Sequence, residues 1–382
     1  MHRVLLMGAG KIGVAIANYL SKTGDFDVRV ADVDQGSLDR LAKVADVETL
    51  KLDASDPNGL LSAMKDRDSV LSALSFAHNP PIAEAALKAG LSYFDLTEDV
   101  QTTKKVMAVA KDAKPGQIFM PQCGLAPGFV SIVAHDLTTR MDTLDTVTMR
   151  VGALPLYPSN ALKYNLTWST DGLINEYCND CEAIHNGEMT NVLPLEGLEH
   201  FSVDGVRYEA FNTSGGLGTL CETLDGKVRT LNYKTVRYQG HRDLAAFLVN
   251  ELRLSHRREM FKDMLEHAVP MTDQDVVIVF CAVTGQKDGR LLQITDARKV
   301  YHDEVNGRQW SAIQITTAMG ICAVVDMHAQ GKLTSQGFVK QEEVSLKDFL
   351  ANRFGKHYAG DDHVLVEPPD YDVAEADGPV SA

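Results

Sequence analysis

Between residues 1 and 125 the spacing of apolar residues alternates between two regimes. "RVLLMGAG" is a continuous apolar run ended by glycine, which predicts a buried strand. "IGVAIANYLSKTG" carries its apolar residues at helical spacing and closes at Gly24. The pair then recurs: "VRVADV" reads as a strand, "SLDRLAKVA" as a helix, and "VETLKLDAS" leads into "PNGLLSAMKD", where Pro57 suits a first helical turn. "SVLSAL", "LSYFDLT" and "QIFMPQCG" are further strands, separated by helical "PPIAEAALKAG" and "TTKKVMAVAKDA". Strand and helix alternating through short links predict a parallel, doubly wound sheet of the α/β class over residues 1–126.

Beyond this the rhythm changes. "APGFVSIVAHDLTTRM" reads as a helix with Pro127 in its first turn, and "STDGLINEYCNDCEAIHNG" as another, capped by Ser169. "DTVTMRVGALPL", "VRYEAFNTSGG", "VRTLNYKTVRYQG", "DVVIVFCAVTGQKDG", "RLLQITDARKVYH" and "QWSAIQIT" read as strands. They predict a second, α+β domain with a mixed sheet over residues 127–312. "TAMGICAVVDMHAQG" is apolar on most faces and predicts a buried helix within a segment, 313–350, that packs back toward the first domain. Residues 365–382 read as a frayed acidic tail.

A chain of 382 residues is long enough for two or three domains. Its 52 acidic and 37 basic side chains give a formal charge of -15, which argues against a nucleic-acid or anionic-membrane partner. The longest apolar runs fall short of the roughly 20 residues of a membrane span, and the amino terminus lacks a signal-peptide pattern. Six scattered cysteines fit reduced thiols, so a cytoplasmic protein is expected. Cys178 and Cys181 read as helix residues, and no His or second pair stands at metal-site spacing, so no metal is expected.

"LLMGAGKIG" places Gly8, Gly10 and Gly13 between a strand and a helix. Gly8 permits a tight turn, Gly10 lets a pyrophosphate approach the backbone, and Gly13 lets helix and strand pack closely; Lys11 and Ile12 open the helix. This is the dinucleotide-binding fingerprint of a Rossmann domain. Asp32 ends the next strand, where a carboxylate accepts ribose hydroxyls and repels a 2′-phosphate, which favours NAD while leaving NADP possible. Asp53 either approaches the adenine or caps a turn. Ala73 and Leu74 end the fourth strand, and Gly124 and Pro127 follow the sixth, all at the carboxyl ends that form the ligand crevice.

The motifs "MGAGKIG", "ADVD", "LDASDP", "AALKAGLSYFDLTED", "CGLAPG" and "AFNTSGGLGTL…LNYKTVRYQGH" resemble the saccharopine dehydrogenase and lysine 6-dehydrogenase superfamily from about residue 1 to residue 340. "GLAPG", "TSGG" and "YKTVRYQGH" carry the specific part, the last two nearer to lysine 6-dehydrogenases. The resemblance implies a second domain that holds substrate and oligomer contacts, and oxidation of an amine carbon in an amino acid by NAD or NADP. Carboxynorspermidine dehydrogenases share much of the plan. A homodimer or larger homo-oligomer is expected.

Such chemistry needs a general base, since an ammonium has no lone pair, and a cationic fork for the substrate carboxylate. Asp95 and Glu98, after the fifth strand, are the carboxylate candidates, and His241 is expected as a loop base facing the cleft. Strand alternation puts Tyr233, Thr235 and Arg237 on one side, with Arg237 as the carboxylate partner. Thr213, Ser214 and Gly215 offer hydroxyls and a backbone turn for the same carboxylate, and Lys163 and Tyr164 a further cation and phenol. A semialdehyde-type dehydrogenase would instead use Cys123 as a nucleophile. Cys123 precedes the turn rather than starting a helix, and reads as a pocket-wall residue.

Overall fold

The computed structural model of the chain describes residues 1–359 and 366–367. Six strands, β1 (His2–Met7), β2 (Phe26–Asp32), β3 (Glu48–Lys51), β4 (Ser69–Ser72), β5 (Ser92–Asp95) and β6 (Ile118–Met120), alternate with five helices. These are α1 (Lys11–Ser21), α2 (Gln35–Leu41), α3 (Pro57–Ala63), α4 (Asn79–Ala89) and α5 (Val100–Ala110). All six strands pair in parallel, in the order β6-β5-β4-β1-β2-β3. Helices cover both faces: Val4 and Leu6 of β1 enter one core, Leu5 and Met7 the other. Asp34, Asp56 and Asp99 cap α2, α3 and α5 with their carboxylates. Gly10 heads α1 without any side-chain cap, so the first N–H groups of that helix stay open.

The second unit is built from α6 (Phe129–Thr138), β7 (Thr143–Pro155), α7 (Thr170–Cys178), β8 (Cys181–His185), β9 (Glu188–Val192), β10 (Glu199–Val203) and β11 (Val206–Asn212). It continues through α8 (Leu220–Leu224), β12 (Thr230–Tyr238), α9 (His241–Ala246), α10 (Arg258–Ala268), β13 (Asp275–Lys287), β14 (Arg290–Tyr301) and α11 (Ala312–Ala329). Its sheet runs β14-β13-β7-β12-β11-β10, with the short strand Val366–Glu367 on β10, and β8 joined to β12 and β9. The β7–β12 pairing is parallel and the other pairings are antiparallel, the mixed sheet expected of this unit.

Three local expectations change. The helix expected over "STDGLINEYCNDCEAIHNG" stops at Cys178, and Cys181 lies in β8, not in a helix. Asn186 and Gly187 take φ of 52° and 85° between β8 and β9, so the Asn-Gly dipeptide makes a tight hairpin. "QWSAIQIT" is not a strand past Trp310: Ser311 accepts from the Gln314 N–H, Gln314 reciprocates, and this capping box starts α11. Pro127 stands before the helix rather than in its first turn. Gly128 is the cap residue at φ +136°, and a Cβ there would lie 2.1 Å from the Gly124 carbonyl oxygen. The expectation of a frayed tail lies almost wholly outside the described residues.

By length and composition α11 is apolar enough to cross a membrane, yet 78% of it is buried inside the fold. It lies along α1 on one side and against β13 on the other, and the chain beyond it adds Gly337–Phe338 in parallel to β6. Asp326 anchors its end. One carboxylate oxygen accepts from Arg353 at 2.6 Å, and the other from Asn352 and Gln330 at 2.8 and 2.9 Å. Arg353 also reaches Asp25, after α1. Asp326→Ala leaves the buried Asn352 amide unpaired and the Arg353 guanidinium with Asp25 alone, and should lower stability by about 2–3 kcal/mol in a denaturant titration.

Candidate active site

A cleft of about 1010 Å³ runs between the two units. One end is made by the α1 loop and the ends of β4 and β6: Gly10, Lys11, Ile12, Ala73, Leu74, Gly124 and Pro127 all line it. These are the residues expected to approach a dinucleotide. Gly8 and Gly13 do not line it; they set its shape. Gly8 turns at φ +107°, and a Cβ on Gly13 would meet the Gly8 carbonyl oxygen at 2.0 Å, so the helix can pack there only without a side chain. A Cβ on Gly10 would meet nothing within 4 Å, so this backbone opens onto the cleft beside the uncapped helix end. Open N–H groups, a bare backbone and the positive helix end fit a pyrophosphate. Asp32 braces the same loop: its carboxylate accepts from the Ala9 N–H at 2.7 Å and the Asp34 N–H at 2.8 Å. Lone pairs remain on both oxygens for ribose hydroxyls. Asp53 takes the turn-capping option, accepting from the N–H and O–H of Ser55, and does not line the cleft.

The other end holds Glu98, Glu176, Tyr233, Thr235 and Arg237. The three β12 residues share the cleft side, as strand alternation predicts. Arg237 is 2% exposed and lies over the Tyr164 ring at 4.9 Å. It pairs with Glu176 at 3.6 Å, and Oε2 of Glu176 is buried without a hydrogen bond. Burial pushes the Glu176 carboxyl up to about 7; Arg237 pulls it down and Glu98 adds to the rise. Glu98 is raised for the same principal reason, burial, against a hydrogen bond from Asn175. Two carboxyls that titrate upward within one cleft are a proton-handling arrangement.

Four expectations need correction. Asp95 does not reach the cleft. It is fully buried and accepts from the Tyr93 hydroxyl at 2.7 Å, the Thr97 N–H at 2.9 Å and the Gln122 N–H at 3.1 Å. It thus ties the ends of β5 and β6 together, and burial lifts its carboxyl to about 6. His241 is not a loop base. It begins α9, stacks on Phe211 and is 2% exposed. Burial and Arg237 press it down to about 3, so it is neutral. Neutrality orders a chain of donors: Arg237 Nε–H donates to the Tyr177 hydroxyl at 3.0 Å, which donates to His241 Nε2 at 2.9 Å. His241 Nδ1–H donates in turn to the Leu162 carbonyl at 2.7 Å.

Lys163 is exposed, its ammonium bound to the Gln239 carbonyl at 2.8 Å away from the cleft. Thr213, Ser214 and Gly215 also lie behind the wall. The Ser214 N–H donates to the Glu176 carbonyl and its hydroxyl to the Asn175 carbonyl, and a Cβ on Gly215 would crowd the Glu98 carbonyl at 2.8 Å. The "TSGG" turn therefore holds both carboxylate-bearing segments instead of touching a ligand. Cys123 is buried, its thiol donating to the Met120 carbonyl at 2.9 Å and accepting from Gln341 at 3.3 Å. Burial raises it far above the thiolate range. The sequence reading missed Glu176, Tyr177 and Arg258. Arg258, at the cleft mouth, binds the Asn175 and Asn179 side-chain oxygens at 2.9 and 2.7 Å.

Residues 4–120 match the family model of the saccharopine dehydrogenase NADP binding domain, and residues 124–357 that of the saccharopine dehydrogenase C-terminal domain. The chain belongs to the saccharopine dehydrogenase family. It is 22% identical over 374 residues to the mitochondrial alpha-aminoadipic semialdehyde synthase of Rattus norvegicus, covering 92% of this chain and 39% of that protein. It is 23% identical over 270 residues to the L-glutamate-forming, NADP(+) saccharopine dehydrogenase of Saccharomyces cerevisiae, covering 65% of this chain and 57% of the relative. The chain thus spans well under two thirds of the length of these curated relatives. The solved structure of the L-glutamate-forming saccharopine dehydrogenase of Saccharomyces cerevisiae superposes with a TM-score of 0.75 at 16% identity, over 92% of this chain and 97% of that one. The homospermidine synthase of Legionella pneumophila, solved with NAD, gives 0.65 at 13% identity, over 100% and 94%. Both share the fold.

The glycine geometry separates two effects. Gly13→Ala should lower the thermal midpoint, because its Cβ meets backbone. Gly10→Ala should leave the midpoint in place and weaken NADH binding at least about tenfold in a fluorescence titration.

Proposed function

We propose that this protein is an NAD(P)-dependent dehydrogenase that oxidises an amine carbon by hydride transfer, of the saccharopine dehydrogenase and lysine 6-dehydrogenase type in lysine metabolism. One observation carries the reading: a single cleft joins the open α1 loop to two carboxyls whose affinity for protons is raised by burial. A nicotinamide dinucleotide would be held by Gly10, Lys11, Ile12 and Asp32 and would supply the hydride acceptor. Everything else falls to the chain's own side chains. The Glu176 carboxylate takes a proton from the substrate ammonium and so frees the lone pair that becomes the imine. Its apparent pKa near 7 suits it to do so at neutral pH and to return the proton later. Glu98, on the same wall, is placed to take the proton of the water that attacks the iminium. Arg237, held by the Tyr177 hydroxyl and the Val236 carbonyl, keeps Glu176 in place on the cleft wall.

Asp32 supports NAD over NADP, although the matching domain and the yeast relative carry NADP in their names. A thiolate mechanism loses support from the depth and high pKa of Cys123. The likeness to a homospermidine synthase keeps polyamine-type substrates within the proposal. The proposal also includes a cytoplasmic homo-oligomer, on the sequence arguments already given.

Amines and amino acids supplied with NAD or NADP should give reduced cofactor at neutral to alkaline pH, with NAD preferred and the preference narrowed by Asp32→Ala. No reduction with any amine and either cofactor would remove the proposal. Because the raised carboxyl must lose its proton to act as a base, kcat/KM should rise with pH through about 7. Glu176→Gln should cost about 100-fold and abolish that limb; an unchanged profile would assign the base elsewhere.

A further inference from the structure

Three phenols lie in the field of the Glu176–Arg237 pair, and two of them are spent within the protein. Tyr164 accepts from the Trp168 indole N–H at 3.1 Å, and Tyr177 stands between Arg237 and His241. The third, Tyr233, lines the cleft, and its hydroxyl has no hydrogen-bond partner among the described residues. Tyr233 is 5% exposed. Its oxygen is nevertheless not sealed from solvent, as the unpartnered hydroxyl of Tyr19 is, so the part of Tyr233 that stays open includes the hydroxyl. Burial first and Glu176 next hold the proton on this phenol well beyond the working range, which makes it a donor and not a base.

Its ring has a fitted seat. A Cβ on Gly216 would lie 2.3, 2.4 and 2.5 Å from Cζ, Cε1 and Cδ1 of Tyr233, so the ring rests directly on the glycine backbone. A residue with a side chain would push the hydroxyl end of the ring away. Gly215, one residue earlier, approaches the Glu98 carbonyl in the same manner. One turn therefore backs both the phenol and the segment that carries Glu98, the carboxyl placed to take the proton of the attacking water.

We propose that Tyr233 is a catalytic residue whose hydroxyl donates a hydrogen bond to the oxygen that joins the reacting carbon, and that Gly216 is the positioning residue that seats it. The proposal rests on the amine-oxidising reading for the identity of the reaction. A donor on the substrate nitrogen would oppose oxidation, because it would occupy the lone pair from which the imine forms. The oxygen arrives only afterwards. Water adds to the iminium carbon and loses a proton to Glu98. Glu176 returns its proton to the nitrogen, and the C–N bond breaks with its electron pair on the departing amine. The hydroxyl proton passes to the Glu176 carboxylate as the C=O forms. Tyr233 keeps its own proton throughout, and its hydrogen bond strengthens as charge gathers on the oxygen.

Rapid kinetics and infrared spectroscopy on the full chain test this together. With lysine and NAD, Tyr233→Phe should keep the first-turnover rate of NADH formation and lower kcat about 100-fold, so that a burst precedes slow turnover. KM should not rise, and the thermal midpoint should stay put. A first turnover slowed as much as kcat, or a raised KM with kcat unchanged, overturns the proposal. Gly216→Ala should lower kcat in the unaltered protein and leave it unchanged in Tyr233→Phe; equal losses in both would remove Gly216 as the positioning residue. The infrared arm needs no turnover. Isotope-labelled δ-valerolactam, a carbonyl on the carbon next to a nitrogen, should show a lower C=O frequency on the NADH-loaded protein than on NADH-loaded Tyr233→Phe. Equal frequencies, or a lactam that does not bind, overturn the proposal. A shifted band without oxidation of any amine would sink the dehydrogenase reading and leave the Tyr233 donor standing. Amine oxidation with equal bands would do the reverse.

Discussion

Glu176 and Arg237, 3.6 Å apart at the floor of the cleft, are the contact around which the second unit is arranged. A carboxyl taken out of water resists ionisation, and a guanidinium beside it favours ionisation. Here burial outweighs the guanidinium, and Glu98 across the wall tips the balance further, so the carboxyl titrates near 7. Buried ion pairs return little stability because desolvation consumes their attraction. This one is maintained by neighbours that hold each partner. The Tyr177–His241–Leu162 chain fixes the guanidinium, and Ser214 grips the turn of α7 that carries the carboxyl.

That arrangement is useful because of where the first unit delivers its loop. The sheet order reverses between β1 and β4, which places the α1 terminus at a crevice between strand ends. Asp95 buckles β5 to β6, and the Gly124–Gly128 loop folds back on itself beside it. Helix α11 lies along α1 and against β13, so the distance between the glycine loop and the carboxyl pair is set by a packed helix rather than by a linker. Its apolar faces and its Asp326 anchor follow from having protein on nearly every side.

What the sequence disclosed follows the range of the interactions involved. The doubly wound sheet, the glycine loop and Asp32 were legible because each depends on residues close together in the chain. The cleft side of β12 was legible too, since alternation along a strand is a local rule. Glu176 was not: it sits in an ordinary amphipathic helix, and only the folded sheet brings it to Arg237. His241 and "TSGG" were assigned to the ligand because polar groups beside a strand end look alike whether they face a cleft or brace its wall. Two misreadings were avoidable. Asn186-Gly187 signals a hairpin inside the supposed helix, and the Ser311–Gln314 spacing signals a helix start inside the supposed strand.

The proposed chemistry turns on the protonation of a single carboxyl, and infrared difference spectroscopy reads it without any turnover. In the NADH-loaded protein titrated across neutrality, a protonated-carboxyl C=O band should disappear with an apparent pKa near 7, and Glu176→Gln should lack that band. A spectrum in which Glu176 is already fully ionised well below neutrality, or one in which Glu176→Gln leaves the titrating band intact, would contradict the assignment of Glu176 as the cleft's proton acceptor.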